Sequence, residues 1–177
     1  MCYTCFMNIA PDGNEKLSVR FATEMDIDLI MGQLIFGLAD YEGLRHQVTT
    51  TKEMMLEELF VKKSATVIVG EKDSRPVALA VYFENFSTFL GKKGMFVEDI
   101  WIIPGNEGNG YGKAMLEHLA KIALDKNYGR METYTIPQNE SAIALFDSLG
   151  MKDRGLYTYR LTPEQLDHFA KKACSKN

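Results

Sequence analysis

At 177 residues, with 46% hydrophobic and 25% charged side chains, the chain has the size and composition of one compact domain with a core of its own. Its net charge of −4 argues against general nucleic-acid binding, and no apolar run approaches the ~20 residues of a membrane span. Three cysteines, Cys2, Cys5 and Cys174, form no disulfide framework, and Cys2-x-x-Cys5 lacks a second ligand pair, so no metal is expected.

Residues 1–16 read as an N-terminal extension without the charged leader and apolar stretch of a signal peptide, which points to a cytoplasmic protein. A domain over 17–173 opens with the strand LSVRFA. Thr23 is placed to cap a helix in which Ile27, Ile30, Met31, Leu34 and Leu38 recur at helical spacing. Thr51 caps a shorter amphipathic helix with Met55, Leu56, Leu59 and Phe60 on one side. Three extended runs follow, ATVIVGE, PVALAVYFEN and MFVEDIWII, the first two joined by the turn Lys72-Asp73-Ser74-Arg75. Apolar residues on both faces of MFVEDIWII mark it as the central strand and make Glu98 conspicuous.

After Pro104 come the loop GNEGNGYGK and a helix burying Met115, Leu116, Leu119, Ile122 and Ala123, which stops near Asn127 and Gly129. METYTI is a strand, Asn139 a cap for the helix SAIALFDSL, and LYTYRL a last strand. Thr162-Pro163-Glu164-Gln165 is the capping box of a final helix. The pattern predicts a single α/β domain, a mixed central sheet of about six to seven strands flanked by helices.

A glycine loop opening a helix suits an anion, because the first helical N–H groups lack internal partners and glycine lets a ligand approach the backbone. The same glycines would also serve a plain strand-to-helix turn. A magnesium-nucleotide loop needs a hydroxyl where Ala114 stands, and Gly108-x-Gly110-x-Gly112 has the wrong spacing for a dinucleotide fold.

"VEDIWIIPGNEGNGYGKAMLEHLAKIAL" followed by "TYTIPQNESAIALFDSLGMK" resembles the GNAT superfamily of N-acetyltransferases, over essentially residues 17–170. The family's pyrophosphate loop, Gln/Arg-x-x-Gly-x-Gly/Ala, reads Glu107-x-x-Gly110-x-Gly112 here. "YEGLRHQVTTTKEMMLEELF" and "FENFSTFLGKKGMFVEDIWI" are similar to the diamine (spermidine/spermine-type) and thialysine acetyltransferases. The resemblance implies a GNAT fold, acetyl-CoA as co-substrate without a metal, a small-molecule amine as acceptor, and a homodimer.

It also implies site residues. Glu98 would be the general base, where the bland alternative is a surface carboxylate paired with a cation. Asp99 would point to the opposite face by strand alternation. The backbone of Ile100, Trp101 and Ile102 would pair with the pantetheine arm, their side chains being plain core. Gly108, Asn109, Gly110, Tyr111, Gly112 and Lys113 would hold the pyrophosphate, although Lys113 reads equally as a solvated lysine. Asn139 and Ser141 would contact the coenzyme arm, with Asn139 also an N-cap. Tyr41 and Glu42 would read the acceptor's distal ammonium, or else face solvent, and Ser87 and Phe89 would wall that channel.

Two departures stand out. The family's usual general acid is a tyrosine at the position of Phe146, near the coenzyme, leaving water, Tyr111, Tyr134 or Tyr157 to reprotonate the thiolate. Glu107 stands where Arg or Gln is usual, and weakens coenzyme binding unless it turns to solvent or pairs with Lys113. The expected function is acetyl transfer to a polyamine-like or lysine-like amine. Acetylation of a protein lysine or N-terminus, and a non-catalytic acyl-CoA-binding module, remain open alternatives.

Overall fold

A mixed sheet carries the fold in the computed structural model, which describes residues 17–174. Its strands are β1 (Ser18–Phe21), β2 (Thr66–Lys72), β3 (Arg75–Ser87), β4 (Lys92–Ile102) and β5 (Met131–Thr133), in the order β1-β2-β3-β4-β5. The first three neighbouring pairs are antiparallel, and β4 and β5 run parallel. The chain divides into two compact units between Leu145 and Phe146. The extension 1–16, with Cys2 and Cys5, lies outside the described residues.

The β2–β3 turn forms where the sequence placed it. Asp73 and Ser74 take φ of 50° and 61°, the left-handed pair that matches the twist of a two-residue hairpin. Helical segment 24–41 (α1) and segment 52–61 (α2) cover one face of the sheet. Within α1 the stretch Ile30–Gly37 winds in the wider π register. Thr51 caps α2, accepting from the Met54 N–H at 3.3 Å. α3 (Tyr111–Asp125) covers the other face and buries the five side chains its spacing singled out.

Two cores result, one on each face. Ile30, Leu34, Val67, Val69, Leu79 and Val81 pack under α1 and α2. Ile68, Ala80, Tyr82, Met95, Val97, Met115 and Leu119 pack under α3. Both helix layers bury apolar stripes of β3 and β4, so β4 is apolar on both faces without being central. The central strand of the five is β3, which corrects the assignment of that place to MFVEDIWII.

METYTI shortens to the three residues of β5. The second unit holds the end of α4 (Glu140–Ser148) and α5 (Pro163–Cys174). LYTYRL forms no strand, and Leu156, Tyr157 and Tyr159 are more than 80% exposed. Alternation belongs to a segment, whereas a strand needs a ladder partner, and this one has none among the described residues. Among the described residues, five strands stand in place of the expected six to seven.

Arg20 ties β1 to the start of α1 and to β2. Its guanidinium grips both Asp26 oxygens at 2.8 Å and donates to Glu71 at 2.9 Å. Asp26 also accepts from the Thr23 N–H at 2.7 Å, closing the cap expected there. The Arg20 hydrogen bond, opposed by burial and aided by the Thr23 bonds, holds the Asp26 carboxyl at about 2. This stabilisation is present above the ordinary carboxylate range and is lost as pH falls through about 2. Asp26→Asn is expected to cost about 1 kcal/mol at pH 7, modest because Arg20 is partly solvated, and nothing at pH 2. Urea unfolding at the two pH values measures the difference.

Candidate active site

β5 pairs with β4 only from Met95 to Val97, where Val97 lies opposite Thr133. Beyond that point the β4–β5 pairing ends, and β4 from Glu98 onward has β3 on one side and, among the described residues, no strand on the other. The expected backbone stretch Ile100, Trp101 and Ile102 lies along this open edge. An extended chain with amide groups is the natural occupant of such an edge.

At the same point β4 is irregular. Val81 of β3 lies opposite Asp99 and Tyr82 lies opposite Val97, so Glu98 is an extra residue in a bulge. The bulge shifts the side-chain phase. Met95 and Val97 belong to the α3 core, and Ile100 and Ile102 pack against that same core. Trp101 and Ile103 pack against the core under α1. Counting outward from either side, Glu98 and Asp99 both face α1. Strict alternation had placed Asp99 on the opposite face, and the bulge corrects that.

Asp99 is partly buried. Burial first, then the charges of Glu98 and Glu42, push its carboxyl up to about 6. Glu98 accepts a hydrogen bond from the Tyr134 hydroxyl at 3.0 Å. Tyr41 meets Trp101 edge-on, with ring centroids 5.9 Å apart. Gly37 of α1 lies against the same indole, so that a Cβ there would sit 3.3 Å from it. The indole Nε1 is buried with no hydrogen-bond partner. Tyr41, Glu42, Glu98, Asp99, Trp101 and Tyr134 thus form one acidic, aromatic cluster at the mouth of the β4–β5 gap. It can attract a cation, accept a proton and exclude water from one side.

Three of these six were not expected in those roles. Trp101 was assigned to the core by hydrophobicity alone, and Asp99 was misdirected by alternation. Tyr134 was one of several tyrosines with no spacing signal to favour it. Ser87 and Phe89 lie elsewhere, in the β3–β4 turn. The Ser87 hydroxyl accepts from the Leu90 N–H at 3.2 Å, and Phe89 is fully exposed. Ser87 pairs with Lys92, six residues along β3 from Val81, or roughly 20 Å at strand rise. The structure does not bring them to the cluster.

The glycine loop follows β4 directly. Gly105, Gly108 and Gly110 have φ of 87°, 76° and 76°, and a Cβ on any of them would meet nothing within 4 Å. Asn106 and Asn109 fix the loop by side-chain bonds to the carbonyls of Ile103, Asn106 and Glu107. The first α-helical bond of α3 is Ala114 N–H to the Gly110 carbonyl at 3.0 Å. The N–H groups of Tyr111, Gly112 and Lys113 precede it and carry the positive end of the helix. An open, left-handed backbone cradle of this kind fits a pyrophosphate, the anionic part of acetyl-CoA.

Glu107 turns inward to its own loop. Its carboxylate accepts from the Gly105 N–H at 2.8 Å, while Lys113 lies 3.9 Å from Glu117. The side chain stays exposed to solvent, as one of the two alternatives had it, and makes no pair with Lys113. The acid serves as a brace for the turn. Asn139 caps α4, accepting from the Ala142 N–H at 3.1 Å and the Ser141 hydroxyl at 3.0 Å. Phe146 belongs to the second unit, where its carbonyl accepts from the Leu149 and Met151 N–H groups.

No group of metal-ligating side chains occurs among the described residues, and no helix among them is long and apolar enough to cross a membrane. Residues 37–151 match the acetyltransferase (GNAT) family. Mouse thialysine N-epsilon-acetyltransferase is 27% identical over 86% of this chain and 96% of its own length. The Arabidopsis thaliana L-ornithine N5-acetyltransferase is 34% identical over 80% of this chain and 82% of its own. An integron cassette protein of the V. cholerae mobile metagenome shares the fold, with a TM-score of 0.72 at 20% identity over 88% of this chain and 98% of that one. With a sheet that splits beside a bulged acidic strand, a glycine cradle opening α3, and a family match spanning both, this chain belongs to the GNAT family of acetyltransferases.

Proposed function

We propose that this enzyme transfers the acetyl group of acetyl-CoA directly to a primary amine of a small polyamine-like or lysine-like molecule, with Glu98 as general base. The observation that carries the reading is the bulge at Glu98, which turns two adjacent carboxylates toward Tyr41 and Glu42 beside the open edge of β4. The relatives' names point the same way, since thialysine and ornithine both carry a primary amine on a flexible chain with further charged groups.

Each group has a distinct task. The N–H groups from Gly108 to Lys113 hold the pyrophosphate, and the edge of Ile100, Trp101 and Ile102 aligns the pantetheine arm. Bound acetyl-CoA supplies the activated acyl group. Asp99 and Glu42 draw in an ammonium, and Tyr41 with Trp101 gives it aromatic walls. An alkyl ammonium has a pKa near ~10.4 and must lose a proton before it can attack. Glu98 then accepts one of the two N–H protons left on the amine as the C–N bond forms, and the other stays on the amide. Asn139 and Ser141 lie after β5 and would flank the coenzyme arm.

The purified protein should acetylate amines from a panel of thialysine, ornithine, spermidine and a lysine peptide, read as coenzyme A release and product mass. Coenzyme binding with no acetylated amine would overturn the enzyme reading, and turnover of the peptide alone would overturn the small-amine assignment. Gly110→Ala places a methyl group in the cradle and strains a left-handed residue. Calorimetry should show acetyl-CoA binding about tenfold weaker, equivalent to about 1.4 kcal/mol. A homodimer is what the family resemblance implies, and light scattering tests it.

A further inference from the structure

Glu98 and Tyr134 occupy matching places on the two lips of the sheet's gap. Val97 and Thr133 are the last paired residues of β4 and β5, and the next residue on each chain is Glu98 and Tyr134. Their side chains bridge the apex of the gap through the 3.0 Å hydrogen bond. The Tyr134 ring is held in a row of aromatics. It lies 5.6 Å from Phe96, which lies 5.2 Å from Phe83. Tyr134 is nevertheless 50% exposed. A fixed, accessible phenol bonded to a carboxylate at the point where two strands diverge is arranged for proton transfer.

We propose that Tyr134 is the general acid of this enzyme, coupled to Glu98 in one proton relay. The inference rests on the acetyl-transfer reading above. Glu98 takes the N–H proton of the attacking amine as the C–N bond forms. When the C–S bond breaks and its electron pair stays on sulfur, Tyr134 gives its hydroxyl proton to that sulfur. Tyr134 regains a proton from Glu98 across their hydrogen bond, and Glu98 returns to carboxylate. The net result moves one proton from nitrogen to sulfur, and both side chains end as they began. Phe146 has no proton to give, so the relay also accounts for turnover without a hydroxyl there.

Tyr134→Phe preserves the aromatic row and removes only the hydroxyl. Its kcat for the best amine is expected to fall about 10²-fold, the lower end for general acid–base help because thiolate leaves readily. A second measurement needs no turnover. The thiol of bound coenzyme A, titrated by thiolate absorbance, should ionise at higher pH in Tyr134→Phe than in the parent, because a hydrogen bond to sulfur is lost. An unchanged thiol titration would overturn the proposal, even with kcat reduced, since a merely structural role leaves it unmoved. An unchanged kcat would overturn it as well. If the parent acetylates no amine, the acetyl-transfer reading fails, and the thiol titration still decides whether Tyr134 addresses sulfur.

Discussion

Glu98→Gln is expected to lower kcat by about 10³-fold at pH 7, within the range typical for losing a positioned general base. The amide is nearly isosteric and can still accept the Tyr134 hydrogen bond, so the bulge and the aromatic row should survive. In the proposed binding mode the coenzyme is held by backbone groups of the glycine cradle and the β4 edge, which the substitution leaves in place. The defect should therefore lie in kcat with little change in acetyl-CoA affinity. Raising the pH should restore part of the rate, because more of the amine then arrives already deprotonated. Steady-state kinetics from pH 7 to pH 10 would test both points. Full activity in the variant at neutral pH would remove Glu98 from the mechanism and leave Asp99 as the candidate.

Asp99→Asn is expected to stabilise the fold at alkaline pH by about 2 kcal/mol and to do nothing at pH 4. The sign follows from proton binding. Asp99 titrates at about 6 in the folded chain, above the ordinary aspartate range, so the native state holds the proton more tightly. The site favours folding below about pH 4, and that contribution disappears as pH rises through 6. A two-unit difference corresponds to about 3 kcal/mol at most, reduced here because the group is partly solvated. Thermal unfolding from pH 4 to pH 8 should show a flatter profile in the variant. The same substitution should raise KM for acceptors carrying a second ammonium more than it lowers kcat. Identical pH profiles for parent and variant would mean that Asp99 is solvated and has no special affinity for its proton.

Local features of the chain were readable in the sequence because they depend on local chemistry. The cap at Thr51, the Asp73-Ser74 turn, the buried stripe of α3 and the cap at Asn139 each follow from a few neighbouring residues. What escaped depends on partners far along the chain. The bulge at Glu98 is a property of β3 and β4 together, and nothing in VEDIWII announces it. The Tyr134–Glu98 bond joins residues 36 apart. LYTYRL has a strand's pattern and lacks the neighbour that would make it one. In Glu107 the charge was correctly noticed, while its destination, an N–H two residues back, is a matter of loop geometry.

The contact between Gly37 and Trp101 has a consequence for how substrate range can drift. A methyl group at residue 37 would press on the indole at 3.3 Å, and either α1 or the ring would have to yield by a few tenths of an ångström. Tyr41 and Glu42 lie one turn further along the same helix, so a change at this glycine would shift them and the Trp101 ring relative to Asp99. If the proposed acceptor site is right, acceptor preference is adjustable from behind it, through the size of the single residue at position 37.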